Sequence, residues 1–160
     1  MILPTQWRLA GVALVALLLV SLTACQKTRQ VLKVETSAVI DFVVSTDVNP
    51  DDDNRPSPLV IRVVELADAR QFEREDLISL YENPAERLGT DYIDSIRLRE
   101  FTPGETRSEV IELDDSVQYL GLIAEFSQYQ DANATLSLPI VANKANRFTV
   151  NIQGTSLKRQ

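Results

Sequence analysis

Two groups of residues in this chain could do chemistry. The first is Leu22-Thr23-Ala24-Cys25, which closes an apolar run and holds the single cysteine of the sequence. A cysteine behind a small-residue pair and a hydrophobic segment is the pattern of a bacterial lipoprotein processing site. Its sulfur is the point of lipid attachment, whereas an ordinary signal-peptidase site needs no thiol. The second is Asp47-Val48-Asn49-Pro50-Asp51-Asp52-Asp53-Asn54-Arg55-Pro56-Ser57-Pro58, with four aspartates, two asparagines and three prolines. Its clustered oxygens fit calcium binding, a partner contact or a merely solvated turn. An EF-hand loop wants Gly at position six and Glu at position twelve. Counted from Asp51, those positions hold Pro56 and Arg62, which weighs against that calcium geometry.

What is missing narrows the chemistry further. The sequence has no histidine. That removes the commonest metal ligand and the usual general base near neutral pH, so Ser-His-Asp and Cys-His sites cannot be built. Once Cys25 is acylated no thiol is left for a disulfide, and the fold must hold by its core. The few glycines form no phosphate-binding loop, and no carboxylate pair has a spacing that implies acid–base work. The residues predict no catalytic set, no metal set and no cofactor beyond a covalent lipid on Cys25.

The segment before Cys25 explains its chemistry. Leu9 to Leu22 runs fourteen residues without a charge. A membrane-spanning helix needs about 20 such residues, while fourteen suit the hydrophobic part of a signal peptide. Residues 1–24 are therefore expected to be removed and residues 25–30 to form a lipidated tether. One acyl chain binds a membrane marginally, at roughly 0.8 kcal/mol per buried CH₂, but several chains anchor firmly. Gln26 replaces the Asp of an inner-membrane retention signal, which favours the periplasmic face of the outer membrane.

From Cys25 onward the chain has 136 residues, enough for one domain with a core. It carries all 23 acids and 15 of the 16 bases, a net charge of −8. Such a domain is not built to neutralise nucleic-acid phosphates, and its net charge predicts no attraction to anionic headgroups.

Hydrophobic spacing gives the elements that position these groups. Leu32, Val34, Ala38, Ile40, Phe42 and Val44 alternate with polar residues from Val31 to Ser45, the signal of a half-buried strand. Leu59 to Leu66 is rich in β-branched residues and reads as a central strand. The period then changes. Asp68 and Asp76 can cap short turns, Leu77, Leu80 and Tyr81 share a helical face, and Asn83-Pro84 opens another turn that Gly89 ends. Residues 68–89 thus predict a small helical insertion covering an end or edge of the sheet. Extended segments follow at 92–101, 106–113, 117–126, 136–140 and 148–153. Thr102-Pro103-Gly104-Glu105 has the residues of a type II turn, giving either a longer hairpin or a crossing between two sheets. Seven or so strands at this spacing predict an all-β, two-sheet antiparallel sandwich over about residues 31–157.

Read in order, several blocks look familiar. They are the lipobox, Asp47-Val48-Asn49-Pro50-Asp51, Arg55-Pro56-Ser57-Pro58-Leu59-Val60-Ile61-Arg62-Val63-Val64-Glu65-Leu66 and Asp76-Leu77-Ile78-Ser79-Leu80-Tyr81. Pro103-Gly104-Glu105, Tyr119-Leu120-Gly121 and Ala142-Asn143-Lys144 follow. The set resembles the TssJ family, outer-membrane lipoproteins of the type VI secretion system. The chain departs from the family pattern at Val64 and near Thr135-Leu136, where many members carry Tyr and Trp.

The resemblance implies a transthyretin-like β-sandwich with a small helical addition and a structural, non-enzymatic role. It implies a membrane complex with TssM and TssL, and docking of the TssM periplasmic domain by the loop between the first two strands. Here that loop is Asn49, Pro50, Asp51, Asp52, Asp53, Asn54, Arg55, Pro56, Ser57 and Pro58. A periplasmic lipoprotein that binds a small ligand is the alternative, and it would need a sizeable apolar pocket.

Overall fold

The computed structural model describes residues 35–160. The expected signal peptide, Cys25, the tether and the first four residues of the predicted opening strand lie outside the described residues. Two four-stranded sheets face each other. One has the order β4-β1-β7-β8, built from β1 (Ser37–Val44), β4 (Thr106–Glu112), β7 (Ala145–Gln153) and β8 (Ser156–Arg159). The other has the order β3-β2-β5-β6, from β2 (Ile61–Leu66), β3 (Tyr92–Arg97), β5 (Tyr119–Ala124) and β6 (Thr135–Pro139). This is the expected all-β sandwich with a helical insertion.

The core follows from the alternation. Ala38, Ile40, Phe42 and Val44 are buried, with their polar neighbours on the outer face. From the facing sheet come Ile61, Val63, Leu120, Leu122 and Ala124. At roughly 1.5–3 kcal/mol for each large side chain buried, this layer supplies most of the drive to fold.

Three features depart from the sequence reading. First, β1 and β7 run parallel, in register from Ser37↔Ala145 to Val44↔Ile152, while every other described pair is antiparallel. Alternation marks the faces of a strand but not its neighbour. Second, β8 is an additional strand. Gln153↔Ser156 closes a two-residue hairpin whose first loop residue, Gly154, has φ 54°, as a type II′ turn requires. Leu157 is its one buried side chain, too little to give a periodic signal. Third, the insertion covers a face of the sheet, where an end or edge was expected.

In that insertion α1 (Leu77–Glu82) is capped by Asp76, whose side chain accepts from Ser79 N. Helix α2 (Pro84–Leu88) has Pro at its first position and stops at Gly89, φ 54°. Phe72, Leu80 and Leu88 lie on Val64, Leu66 and Ile123, forming a second buried cluster. Strands β2 and β5 are thereby covered on both faces, which is why β2 has no clean alternation. Tyr81, expected on the buried helical face, is 46% exposed.

The turn at Thr102–Glu105 is the sheet crossing, taking the chain from β3 in one sheet to β4 in the other. Gly104 has φ 80°, as the third residue of a type II turn requires. Pro139 lies on β6, an edge strand, where a missing N–H is tolerated.

Candidate partner-docking site

The loop from Asp47 to Pro58 joins β1 to β2. It projects from the end of the sandwich opposite the N-terminal end of β1, so about 25 Å of strand separates it from the point where the described chain begins. It has no regular structure, but it is held in one conformation by its own polar groups.

Asp51 is the hub. Its Oδ1 accepts from the backbone N–H of Asp53 and of Arg55, both at 2.9 Å. Its Oδ2 accepts from Arg55 Nε at 2.9 Å, and Arg55 Nη2 also reaches Asp53 Oδ2 at 3.0 Å. The backbone N–H and then the guanidinium of Arg55 hold the Asp51 carboxyl below its ordinary value. Asn54 turns the chain at φ 60°, a left-handed conformation that Asn tolerates. Gln128 Nε2 donates to Asp51 O at 2.9 Å, fastening the loop to the segment after β5.

The ten sequence-predicted residues divide into two groups. Asn49 is only 3% exposed. Its Nδ2 donates to Pro58 O at 2.7 Å and its Oδ1 accepts from Ser127 N at 2.7 Å. Ser57 Oγ donates to Asn49 O. Asn49 and Ser57 therefore pin the base of the loop. Pro50 and Asp51 are half-buried. Asp52, Asp53, Asn54, Arg55, Pro56 and Pro58 are exposed and form the face that another molecule could touch. Cys25 lies outside the described residues.

The electrostatics of the tip are acidic and only partly neutralised. Arg55 pairs with Asp51 and Asp53, leaving Asp47 and Asp52 in excess. The Ser45 hydroxyl bonds to Asp47 and lowers its carboxyl. Among the described residues no three His, Cys, Asp or Glu side chains converge to hold a metal ion.

Sequence reasoning missed what lies beside the loop. A groove of about 320 Å³ opens between α1 and the segment after β5, lined by Leu77, Ile78, Tyr81, Ala124, Phe126 and Tyr129. Ile78, Tyr81 and Tyr129 are all exposed there. Glu125 in its wall holds two arginines, Arg62 at 3.2 Å and Arg97 at 2.7 Å. Arg62 also lies 5.4 Å from the centre of the Tyr81 ring and donates to Tyr81 O at 3.0 Å, which ties the end of α1 to β2. Tyr81 and Tyr129 are far apart in sequence, and only the fold brings them together. Buried side chains of both sheets form one apolar cluster, and two of its members, Ala124 and Phe126, also line this groove.

Comparison with known proteins places the fold. The chain is similar to the type VI secretion lipoprotein TssJ1 from Pseudomonas aeruginosa, with TM-score 0.73 and 23% identity over 79% of this chain and 95% of that one. It is also similar to Serratia marcescens Lip, a membrane-bound component of the type VI secretion system, with TM-score 0.70 and 22% identity over 78% and 97%. A chain in a structure described as the TssM C-terminal domain from EAEC matches at TM-score 0.64 and 18% identity over 78% and 98%. No curated protein matches in sequence. The family model for type VI secretion lipoproteins (VasD, EvfM, TssJ) covers residues 36–155. This chain belongs to the type VI secretion lipoprotein family.

Proposed function

We propose that the protein is a structural, non-enzymatic link in the type VI secretion membrane complex. Acyl chains on Cys25 hold it at the periplasmic face of the outer membrane. The loop Asn49–Pro58 docks the periplasmic domain of TssM, and TssL joins through the complex. The observation that carries this reading is the loop itself: six exposed residues on a base locked by Asn49 and a hub locked by Asp51. A prefolded loop loses little conformational entropy on binding, which favours affinity. Its excess of aspartate fits a basic or amide-rich partner surface and an association that weakens in salt.

Family membership and the fold shared with a chain of a type VI membrane complex, TM-score 0.67, support the class of role. The apolar cluster that both sheets pack between them counts against a small ligand held inside the sandwich. Pulldown by the TssM periplasmic domain tests the docking. Replacing residues 49–58 with a short Gly-Ser loop is expected to abolish capture, and capture at the wild-type level would refute it. Membrane fractionation of Cys25→Ser tests the anchor, with release from the membrane expected.

A further inference from the structure

Net charge conceals a strong asymmetry in this molecule. All 23 acids of the chain lie between Glu35 and Asp131, and residues 132–160 carry Lys144, Arg147, Lys158 and Arg159 with no acid. The fold gathers this acid-free segment on one side. It supplies β6, β7 and β8, so both edge strands on that side, β6 and β8, come from it. Asn133 bridges to Ser156, joining the two edges.

The four cations are exposed and none takes part in a described ion pair. Arg159 lies 5.2 Å from the centre of the Phe148 ring. Lys144, Arg147 and Arg159 line one shallow surface depression together with Pro139 and Val141, and Val141 is 57% exposed. The patch is thus cationic with an apolar side chain at its rim. The acids that face this side are Asp41 on β1, paired in register with Thr149 two residues from Arg147, and Glu35 and Asp115 near Asn143, Asp115 bonded to Thr36. Glu109 and Glu112 stand farther off, on β4 at the opposite edge. Glu73, bonded to Ser137 Oγ, approaches from the insertion.

The patch adjoins the place where the described chain begins. Ser37 N donates to Lys144 O at 3.2 Å, Asn143 N donates to Thr36 Oγ1 at 2.9 Å, and Asn146 Nδ2 donates to Ser37 O at 3.1 Å. Nine residues separate Cys25 from Glu35, ten steps along the chain with a reach of at most about 36 Å. They include Lys27, Arg29 and Lys33 and no acid before Glu35. Charge complementarity and this covalent leash select one occupant. We propose that the corner formed by Val141, Lys144, Arg147 and Arg159, with Lys158 on the same edge strand as Arg159, lies against the anionic phospholipid headgroups of the leaflet that holds the Cys25 acyl chains. This rests on the anchor reading above. It adds an orientation: the basic corner faces the lipid, and repulsion keeps the acidic loop at the far end of β1 away from it.

The test uses the full lipidated protein on vesicles of phosphatidylcholine with or without phosphatidylglycerol. Each vesicle contains a headgroup nitroxide lipid, and a fluorophore is attached at Val141→Cys. Acylation keeps Cys25 from reacting. Each basic side chain beside an anionic leaflet strengthens association about fivefold. Quenching should therefore be several-fold stronger with phosphatidylglycerol, should weaken in salt, and should fall to the phosphatidylcholine level in the quadruple variant Lys144→Glu, Arg147→Glu, Lys158→Glu, Arg159→Glu. The corresponding Gln variant, checked for folding by circular dichroism, should be intermediate.

Equal quenching on both vesicle types, or a quadruple variant like wild type, overturns the proposal. Quenching that rises with protein density and ignores phosphatidylglycerol overturns it in favour of a second copy of the chain. Flotation is read separately. Protein that does not float with either vesicle refutes the anchor and this orientation together, whereas full flotation without lipid-dependent quenching refutes the orientation alone.

Discussion

The ring of Phe72 lies directly on the backbone of Gly121. A Cβ built at position 121 would stand 2.6 Å from Phe72 Cε2 and 2.7 Å from Phe72 Cζ. The helical insertion can settle on the outer face of β2 and β5 only because β5 offers this gap. Gly in a strand is unfavourable by itself, and here it is the seat of the second cluster's largest side chain.

Gly121→Ala is therefore expected to destabilise the fold by about 1–3 kcal/mol, because the ring must move. Phe72→Ala should lose about 3–5 kcal/mol. In the double variant the new methyl group enters space the ring has left, so the combined loss should be smaller than the sum by about 1 kcal/mol or more. Chemical denaturation of the four proteins measures the coupling, and strict additivity would disprove the contact.

Within the acidic loop, Asn49→Ala should behave as a folding variant. It leaves Pro58 O and Ser127 N without their partner and places Ala at φ 48°, for a loss of about 2 kcal/mol. Asp52→Ala, at an exposed position outside the loop's ion pairs, should change stability by under about 0.5 kcal/mol while weakening capture by the TssM periplasmic domain. Thermal melts beside pulldowns separate the two effects.

Glu65 predicts a pH dependence. It is 7% exposed on β2, and burial, with Asp94 and Asp114 nearby, pushes its carboxyl above its ordinary value. The folded state then holds the proton more tightly than the unfolded chain. The contribution of Glu65 to stability is full below its unfolded value and is lost as pH rises through the folded one. Glu65→Gln should match wild type at low pH and exceed it near neutrality. Denaturation of both proteins across that range gives the difference curve, and a flat difference would contradict the assignment.

Arg107 organises the crossing between sheets. Its guanidinium stacks 3.7 Å from the centre of the Phe101 ring and pairs with Glu105 at 2.6 Å and Glu109 at 2.7 Å. It also donates to Arg99 O at 2.7 Å and Glu100 O at 3.2 Å. Arg107→Ala should cost about 2–4 kcal/mol through lost charge-assisted bonds and stacking. Arg107→Lys should recover less than half of that, since an ammonium cannot make the planar fork. Equilibrium denaturation of the two variants checks the ranking.

Much of the fold was legible because half-buried strands write their period into the chain. Ala38, Ile40, Phe42 and Val44 show β1 as plainly as any coordinate. The turn at Pro103-Gly104 was legible because only a few residue types adopt its backbone angles. Strand β8 was not, since four residues with one buried Leu157 have no period to read. Tyr81 was assigned to a buried face because helical spacing says which residues share a face, not which faces find a neighbour.

The acidic loop shows the same division. Its composition marked Asn49–Pro58 as one candidate contact, because proline and aspartate exclude regular structure locally. Composition could not separate Asn49, buried and bonded to Ser127, from Asp52, exposed beside it. Nor could it show that Tyr81 and Tyr129 meet next to the loop. By itself the sequence determined seven of the eight described strands, the helix caps, the turn at Pro103-Gly104 and the family, all of which depend on near neighbours in the chain. Only the tertiary structure decided the parallel pairing of β1 with β7, the seat of Phe72 on Gly121 and the gathering of Lys144, Arg147 and Arg159 round one depression. Those depend on residues that covalent order keeps apart and that only burial of the two sheets brings into contact.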